Sequence, residues 1–236
     1  MAVSGVAQTR TRQLTLAAVF AALYFVLRSI PTFQMVGISG RFTAGDFVLT
    51  SIALICGPWS GALAVLVGTL VAYSVNPPIF FGLDFLPGLT NMVVLGLILS
   101  KHQRTAQAVY GAILVAFILS PFSLPFGYAY IPYTWLHLVA FAFLISPLAG
   151  RYVSWLAQGT YYRLVAVALL AFIGTMAQHL AGGLLYEAAA GLVGGVSPEK
   201  FWQFWRIIFW IYPIERLVIV IVSTLVAVGL LKTLRK

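Results

Sequence analysis

The sequence predicts an all-α, polytopic membrane helix bundle: six to eight transmembrane helices, both termini cytoplasmic, one integral membrane domain over residues 1–236. Three observations lead there. The chain is 61% hydrophobic and only 8% charged, whereas a soluble domain carries about 25% charged residues, so its polar groups cannot cover a globule. Its apolar residues gather in runs near 14–28, 45–57, 59–75, 85–100, 106–120, 131–150, 163–188 and 208–231, and unpaired backbone is not tolerated against lipid. Its Lys and Arg residues sort to one side. With all eight runs crossing, Arg10, Arg12, Lys101, Arg104, Arg151, Arg163, Lys232, Arg235 and Lys236 fall inside, against Arg28, Arg41, Lys200 and Arg206 outside.

The first run, Leu14 to Leu27, lacks a small-residue cleavage site and reads as a span rather than a signal peptide. Residues 45–75 as a single helix would extend roughly 46 Å, too long for one crossing. Gly57-Pro58 therefore ends one helix and begins another, since glycine suits a helix end and proline a first turn. Asp46 stands in the first turn of this pair, as a cap for free N–H groups or, with Arg41, as the border of a ligand site. The run 131–150 either crosses by itself or pairs with 106–120 as a re-entrant or kinked unit, which leaves six or seven full crossings. The segments 29–44, 76–84, 121–130 and 189–207 read as aromatic, Pro- and Gly-rich outer loops, either interfacial belts or lids. No internal repeat is evident.

The net charge of +9 does not indicate nucleic acid, because the basic residues stand singly between apolar runs. Cys56 is the one cysteine, so no internal disulfide forms. No G-x-x-x-x-G-K-[ST] loop is present, so the chain has no ATPase site of its own.

Four stretches resemble the substrate-binding S components of energy-coupling factor (ECF) transporters. They are the alanine pattern of "LTLAAVFAALYFVLR", the G-P-x-x-G turn of "FTAGDFVLTSIALICGPWSGALAVLVGTL", the lid loop and helix of "PPIFFGLDFLPGLTNMVVLGLILSK", and the closing "YPIERLVIVIVSTLVAVGLLKTLRK". The resemblance covers most of residues 14–101 and 208–236 and implies a six-helix bundle. Such a protein captures a small vitamin-like or heterocyclic solute at the extracellular face. It then docks through its first helix on a membrane scaffold subunit that carries a pair of cytoplasmic ATPases. The docking face would comprise Ala17, Ala18, Ala21 and Ala22, as small residues let helices approach closely in lipid.

Intramembrane polar groups are expensive and need a partner or a task. The candidate substrate-binding residues are Arg41, Asp46, Asn76, Asp84, Asn91, Gln178, His179, Glu187, Trp202, Trp205, Tyr212, Glu215 and Arg216, with Trp210 as a further stacking or interfacial ring. Glu215 and Arg216 are adjacent, point about 100° apart on a helix, and are not expected to pair simply with each other. No cofactor and no metal site are expected. The chain opens "MAVSGVAQ", without the clustered His or Cys of a nickel- or cobalt-binding member. Two other functions compete. A stand-alone ion-coupled carrier would use Asp84 or Glu215 as its coupling carboxylate. A membrane enzyme would build on His102, His137, His179, Asp46, Asp84 and Glu187, but no H-E-x-x-H brings two ligands onto one helix face.

Overall fold

The computed structural model describes residues 10–36, 40–127 and 130–233; Arg235 and Lys236 of the charge count and the opening MAVSGVAQ lie outside them. Every apolar run contributes helix. α1 (Arg10–Arg28) turns Ala17, Ala21 and Tyr24 inward, at the i, i+4, i+7 spacing of one helix face. A short ribbon comes next: β1 (Pro31–Gln34) pairs antiparallel with β2 (Arg41–Thr43). A single 3-10 turn, Ala44–Phe47, then leads into α2 (Leu49–Ala72).

The break predicted inside α2 is present. Gly57 has φ 76 and ψ 179, a backbone state that costs glycine little and other residues a good deal. The two arms on either side fold back on each other. Gly88 of α3 (Leu86–Leu99) lies against both Leu49 and Val65, which a straight helix would hold about 24 Å apart. A Cβ built on Gly61 would likewise stand 3.3 Å from Ile52 Cγ2.

α4 (Gln103–Leu119) and α5 (Trp135–Ile145) come after α3. After Ser146 the chain turns through a 3-10 segment, Pro147–Arg151, into the short α6 (Tyr152–Trp155). Trp135–Ile145 and Pro147–Trp155 are bent by 57°. A bend in the 131–150 run thus lies within it, at Ser146-Pro147, and α5 also packs against α4 of the 106–120 run. Proline removes a donor and holds its predecessor extended, here Ser146 with φ -65 and ψ 154. α7 (Thr160–Tyr186) is the central helix, packing on α3, α4, α5, α6 and α9. It runs on into a π-helical segment, Glu187–Val193, and then α8 (Pro198–Ile208) and α9 (Ile211–Thr233).

By length and composition alone three stretches are long and apolar enough to cross a membrane: Thr160–Val193, Ile211–Thr233 and, with the two arms of its hairpin counted together, Leu49–Ala72. A fourth is added if the bent pair acts as one span. The remaining apolar helices, Leu86–Leu99 and Gln103–Leu119, are shorter. This count is lower than the six to eight crossings expected from the sequence. Residues 189–207, read as an outer loop, instead hold the end of the π-helical segment and all but the last residue of α8. Pro198 opens α8 at its first turn, and Phe201 and Trp205, four apart, are its buried face.

Candidate functional site

The β-ribbon divides two cavities. Strand side chains alternate between faces, so Arg41 and Thr43 of β2 line one cavity while Phe42 lines the other. The first, about 570 Å³, is polar, and Arg28, Arg41, Tyr73, Asn76 and Asp84 are among its walls. The second, about 60 Å³, is aromatic. It lies between the ribbon (Gln34, Met35, Val36, Phe42), α7 (His179, Gly182, Gly183, Tyr186), α8 (Trp205, Ile208) and α9 (Tyr212, Glu215). The ribbon is tied over this small cavity by Tyr186, whose hydroxyl donates to the Val36 carbonyl oxygen at 3.1 Å.

Three rings stack beside the small cavity. The centroids of His137 and His179 are 5.1 Å apart, those of His179 and Tyr212 5.3 Å, and those of His137 and Tyr212 5.8 Å, with interplanar angles of 15°, 28° and 19°. His137 Nε2 and His179 Nδ1 share a hydrogen bond of 3.0 Å. The hydroxyl of Tyr212 donates to the Tyr133 carbonyl oxygen at 2.8 Å, and that of Tyr110 to the His137 carbonyl oxygen at 3.1 Å. These bonds fix the rings from α4, α5, α7 and α9 together.

Arg216 is buried to 1% exposure and lies 4.3 Å from the ring centre of Phe42, within cation–π range. Contrary to the expectation from helix geometry, it does reach its neighbour: Arg216 Nη2 stands 3.4 Å from Glu215 Oε2. Two long side chains can bend toward each other around 100° of helix. The contact is longer than the usual 2.7–3.2 Å hydrogen bond, and Arg216 Nε has no partner among the described residues.

Below the ribbon runs a chain of amides and a carboxylate. Asn91 Nδ2 of α3 donates to Gln178 Oε1 of α7 at 3.3 Å, and Gln178 Nε2 donates to Asp46 Oδ1 at 2.6 Å. The Thr43 N–H approaches Asp46 Oδ2 at 3.5 Å, and Ser223 of α9 donates to the Asp46 carbonyl oxygen at 3.4 Å. Asp46 therefore both ends the ribbon and binds it directly to α7 and α9, and through Gln178 to α3. The contact with the Thr43 N–H is that of a cap, and Asp46 itself lines neither cavity.

The other expected site residues are dispersed. Asp84 spends both carboxylate oxygens on the backbone N–H groups of Ile79 and Phe80, at 2.9 and 3.0 Å, and so shapes its own loop. Arg41 and Asn76 line the larger cavity with it. Glu187, 2% exposed, accepts from Ser123 at 2.9 Å and borders a separate apolar hollow with Leu86, Ile113 and Leu185. Trp205 lines the small cavity and donates to the Phe122 carbonyl oxygen at 2.9 Å. Trp202 is partly buried in the core, while Trp210 is exposed. Among the described residues no group of three or more His, Cys, Asp or Glu is placed to hold a metal ion.

Phe42, His137 and Tyr133 were not among the expected substrate-binding residues. Phe42 had a sequence signal, the polar–aromatic–polar alternation of Arg41-Phe42-Thr43. His137 stood out only as a histidine in an apolar run, which placed it in the enzyme reading, and its partner is 42 positions away. The four alanines divide: Ala17 and Ala21 are buried, with Ala21 facing Gly68 of α2, while Ala18 and Ala22 point outward.

Residues 8–124 match the family model described as "ECF-type riboflavin transporter, S component". No curated protein and no solved structure matches the chain significantly.

Proposed function

We propose that this chain, which belongs to the S components of ECF-type transporters, captures a flat heterocyclic vitamin of the riboflavin kind in the aromatic cavity beneath its β-ribbon. S components are the membrane-embedded solute-binding subunits that pair with ECF scaffold and ATPase components. The observation that carries the proposal is the ring cluster. Phe42, His179, Trp205 and Tyr212 front one cavity, with Glu215 and Gln34 as polar edges, and stacked or edge-on rings are the favoured contacts of an aromatic ligand. The description of the matched family supplies the choice of riboflavin.

At about 60 Å³ the cavity is too small for a vitamin, since ligand pockets span about 300–1,000 Å³. The ribbon must withdraw to admit a vitamin, and the polar cavity of about 570 Å³ on its other side is the space that receives it. Capture takes place at the extracellular face, with both termini in the cytoplasm and six crossings. Delivery comes after docking on the scaffold through Ala18 and Ala22, the outward pair of α1, and is driven by ATP hydrolysis in the partner subunits. Within the site, Asp46, Asn91 and Gln178 hold the base of the ribbon. His179, Tyr212, Glu215 and Arg216 form the contact surface.

The test is a riboflavin titration of the detergent-purified chain, monitored by flavin fluorescence, together with native mass spectrometry for a co-purified solute. The expected result is one flavin per chain, and no uptake by liposomes that contain this chain alone. Uptake by such liposomes that depends on an ion gradient would refute the proposal in favour of a stand-alone carrier.

A further inference from the structure

A cation buried in a bundle normally lies against a carboxylate at close range or a set of carbonyl oxygens. Arg216, at 1% exposure, is poorly provided for. Its contact with Glu215 is 3.4 Å long, and its Nε has no partner among the described residues. What covers the guanidinium is a ring: Cζ lies 4.3 Å from the ring centre of Phe42. That cover comes from the ribbon and not from the bundle. Phe42 is the middle residue of β2 and lines the small cavity, whereas Arg216 does not line it. The Phe42 ring therefore touches both the cavity and the cation. A cavity of about 60 Å³ admits no vitamin until the ribbon withdraws. Withdrawal carries Phe42 away and strips the guanidinium of its cover. A cation over an aromatic face is worth roughly tenfold or more in an equilibrium constant when desolvated, so the loss is large enough to decide what can enter.

We infer that Phe42 holds, over Arg216, the place that the solute's own ring takes on binding. In the empty protein the ribbon closes by seating Phe42 on the guanidinium. A flat aromatic solute displaces Phe42 and restores the same kind of cover. Arg216 is thus a specificity-determining residue: a saturated molecule of equal size leaves it bare and is rejected. The inference rests on the reading of the cavity as the solute site, and it assigns Phe42 a role opposite to that of a wall. Phe42 fronts the cavity in the closed state and leaves it in the bound one. A wall residue adds to affinity by touching the ligand. A stand-in subtracts from it, because the protein must first give up the Phe42 contact and the apparent affinity falls with the fraction of open protein.

The experiment titrates riboflavin into the detergent-purified full chain with Phe42 replaced in turn by mono-, di- and trifluorophenylalanine. Ring fluorines draw electron density from the face and weaken its hold on a cation, with little change of shape or packing. Riboflavin should bind more tightly at each step, by roughly tenfold across the series. An affinity that stays flat or falls across the series overturns the inference while leaving the proposed function standing. Arg216→Met separates the two halves of the inference, and a buried ion often yields to an apolar residue of similar volume without loss of stability. It removes the seat of Phe42 and the seat of the solute together, so it should bind riboflavin no more tightly than the wild type. Tighter binding by Arg216→Met also overturns the inference, since the ring would then be a latch and the solute would sit elsewhere. Should Arg216→Met not fold, the fluorinated series, which keeps the arginine, decides. Failure of the wild-type chain to bind riboflavin overturns both the inference and the proposed function.

Discussion

Gln178→Leu offers a quantitative test of how the β-ribbon is held. Gln178 makes two side-chain hydrogen bonds between elements distant in sequence: it donates to Asp46 at 2.6 Å and accepts from Asn91 at 3.3 Å. Hydrogen bonds between membrane helices average about 0.6 kcal/mol in double-mutant cycles and reach about 1.7 kcal/mol. The short bond to a carboxylate belongs at the upper end, and the long amide–amide contact at the average or below. Leucine nearly preserves volume, so packing changes little, and the substitution should cost about 2 kcal/mol in all. The assay is reversible unfolding in mixed micelles, run as two cycles, Gln178→Leu with Asp46→Ala and Gln178→Leu with Asn91→Ala. The coupling to Asp46 should be about 1.5 kcal/mol and that to Asn91 no more than about 0.6 kcal/mol. A coupling to Asn91 equal to or larger than that to Asp46 would refute the assignment of Asp46 as the main anchor, and two couplings near zero would refute the network.

Three further outcomes are expected from particular contacts. Tyr186→Phe removes the hydroxyl that ties α7 to Val36; at about 1 kcal/mol for such a bond the ribbon should open about fivefold more often, and stopped-flow mixing should show riboflavin associating faster by that factor. Ala18→Trp fills the outward face of α1 and should leave riboflavin binding by the isolated chain intact while abolishing co-purification with the scaffold; loss of both would count against docking through α1. Gly96→Ala would set a Cβ 2.4 Å from Pro58 Cβ and 3.2 Å from Pro58 Cα, and should lower stability by about 1–3 kcal/mol; thermal unfolding at wild-type temperature would show that α3 can slide away from the turn.

Much of this architecture was legible in the sequence because its causes are local. Gly57-Pro58 announces its break through backbone chemistry confined to two residues, and each apolar run forms helix because lipid leaves little alternative. The small β-ribbon was not legible. Strands of four and three residues give too little alternation to outweigh a loop reading, and their pairing is stabilised by Tyr186, which is 150 positions from Val36. The same limit applied to the site. Asp46, Gln178, His179, Tyr212 and Arg216 stood out as polar or aromatic groups in apolar surroundings, and the fold gathers them near one ribbon. Arg41, Asn76 and Asp84 stood out equally but line the other cavity. Only the hand of β2 and the turn at Asp84 divide them, and composition carries neither. His137 stood out as a histidine in an apolar run, but its pairing with a ring across the bundle had no local signal.

The reversal at Gly57 also bears on how the remainder of the chain is threaded. A stretch of 24 residues that ran straight would carry the downstream helices to the opposite side of the bilayer. Folded back at Gly57, its two arms run in opposite directions, so that together they contribute either two passes or none. The sidedness of everything after Ala72 is then indifferent to how deeply the two arms penetrate. The hairpin can slide or shorten without inverting a single downstream helix. Straightening it, for instance by replacing Gly57 and Pro58 together with good helix formers, would change parity rather than packing. The expected signature is not a less stable protein but a mixture of two opposite insertions, readable by cysteine labelling from each side of the membrane.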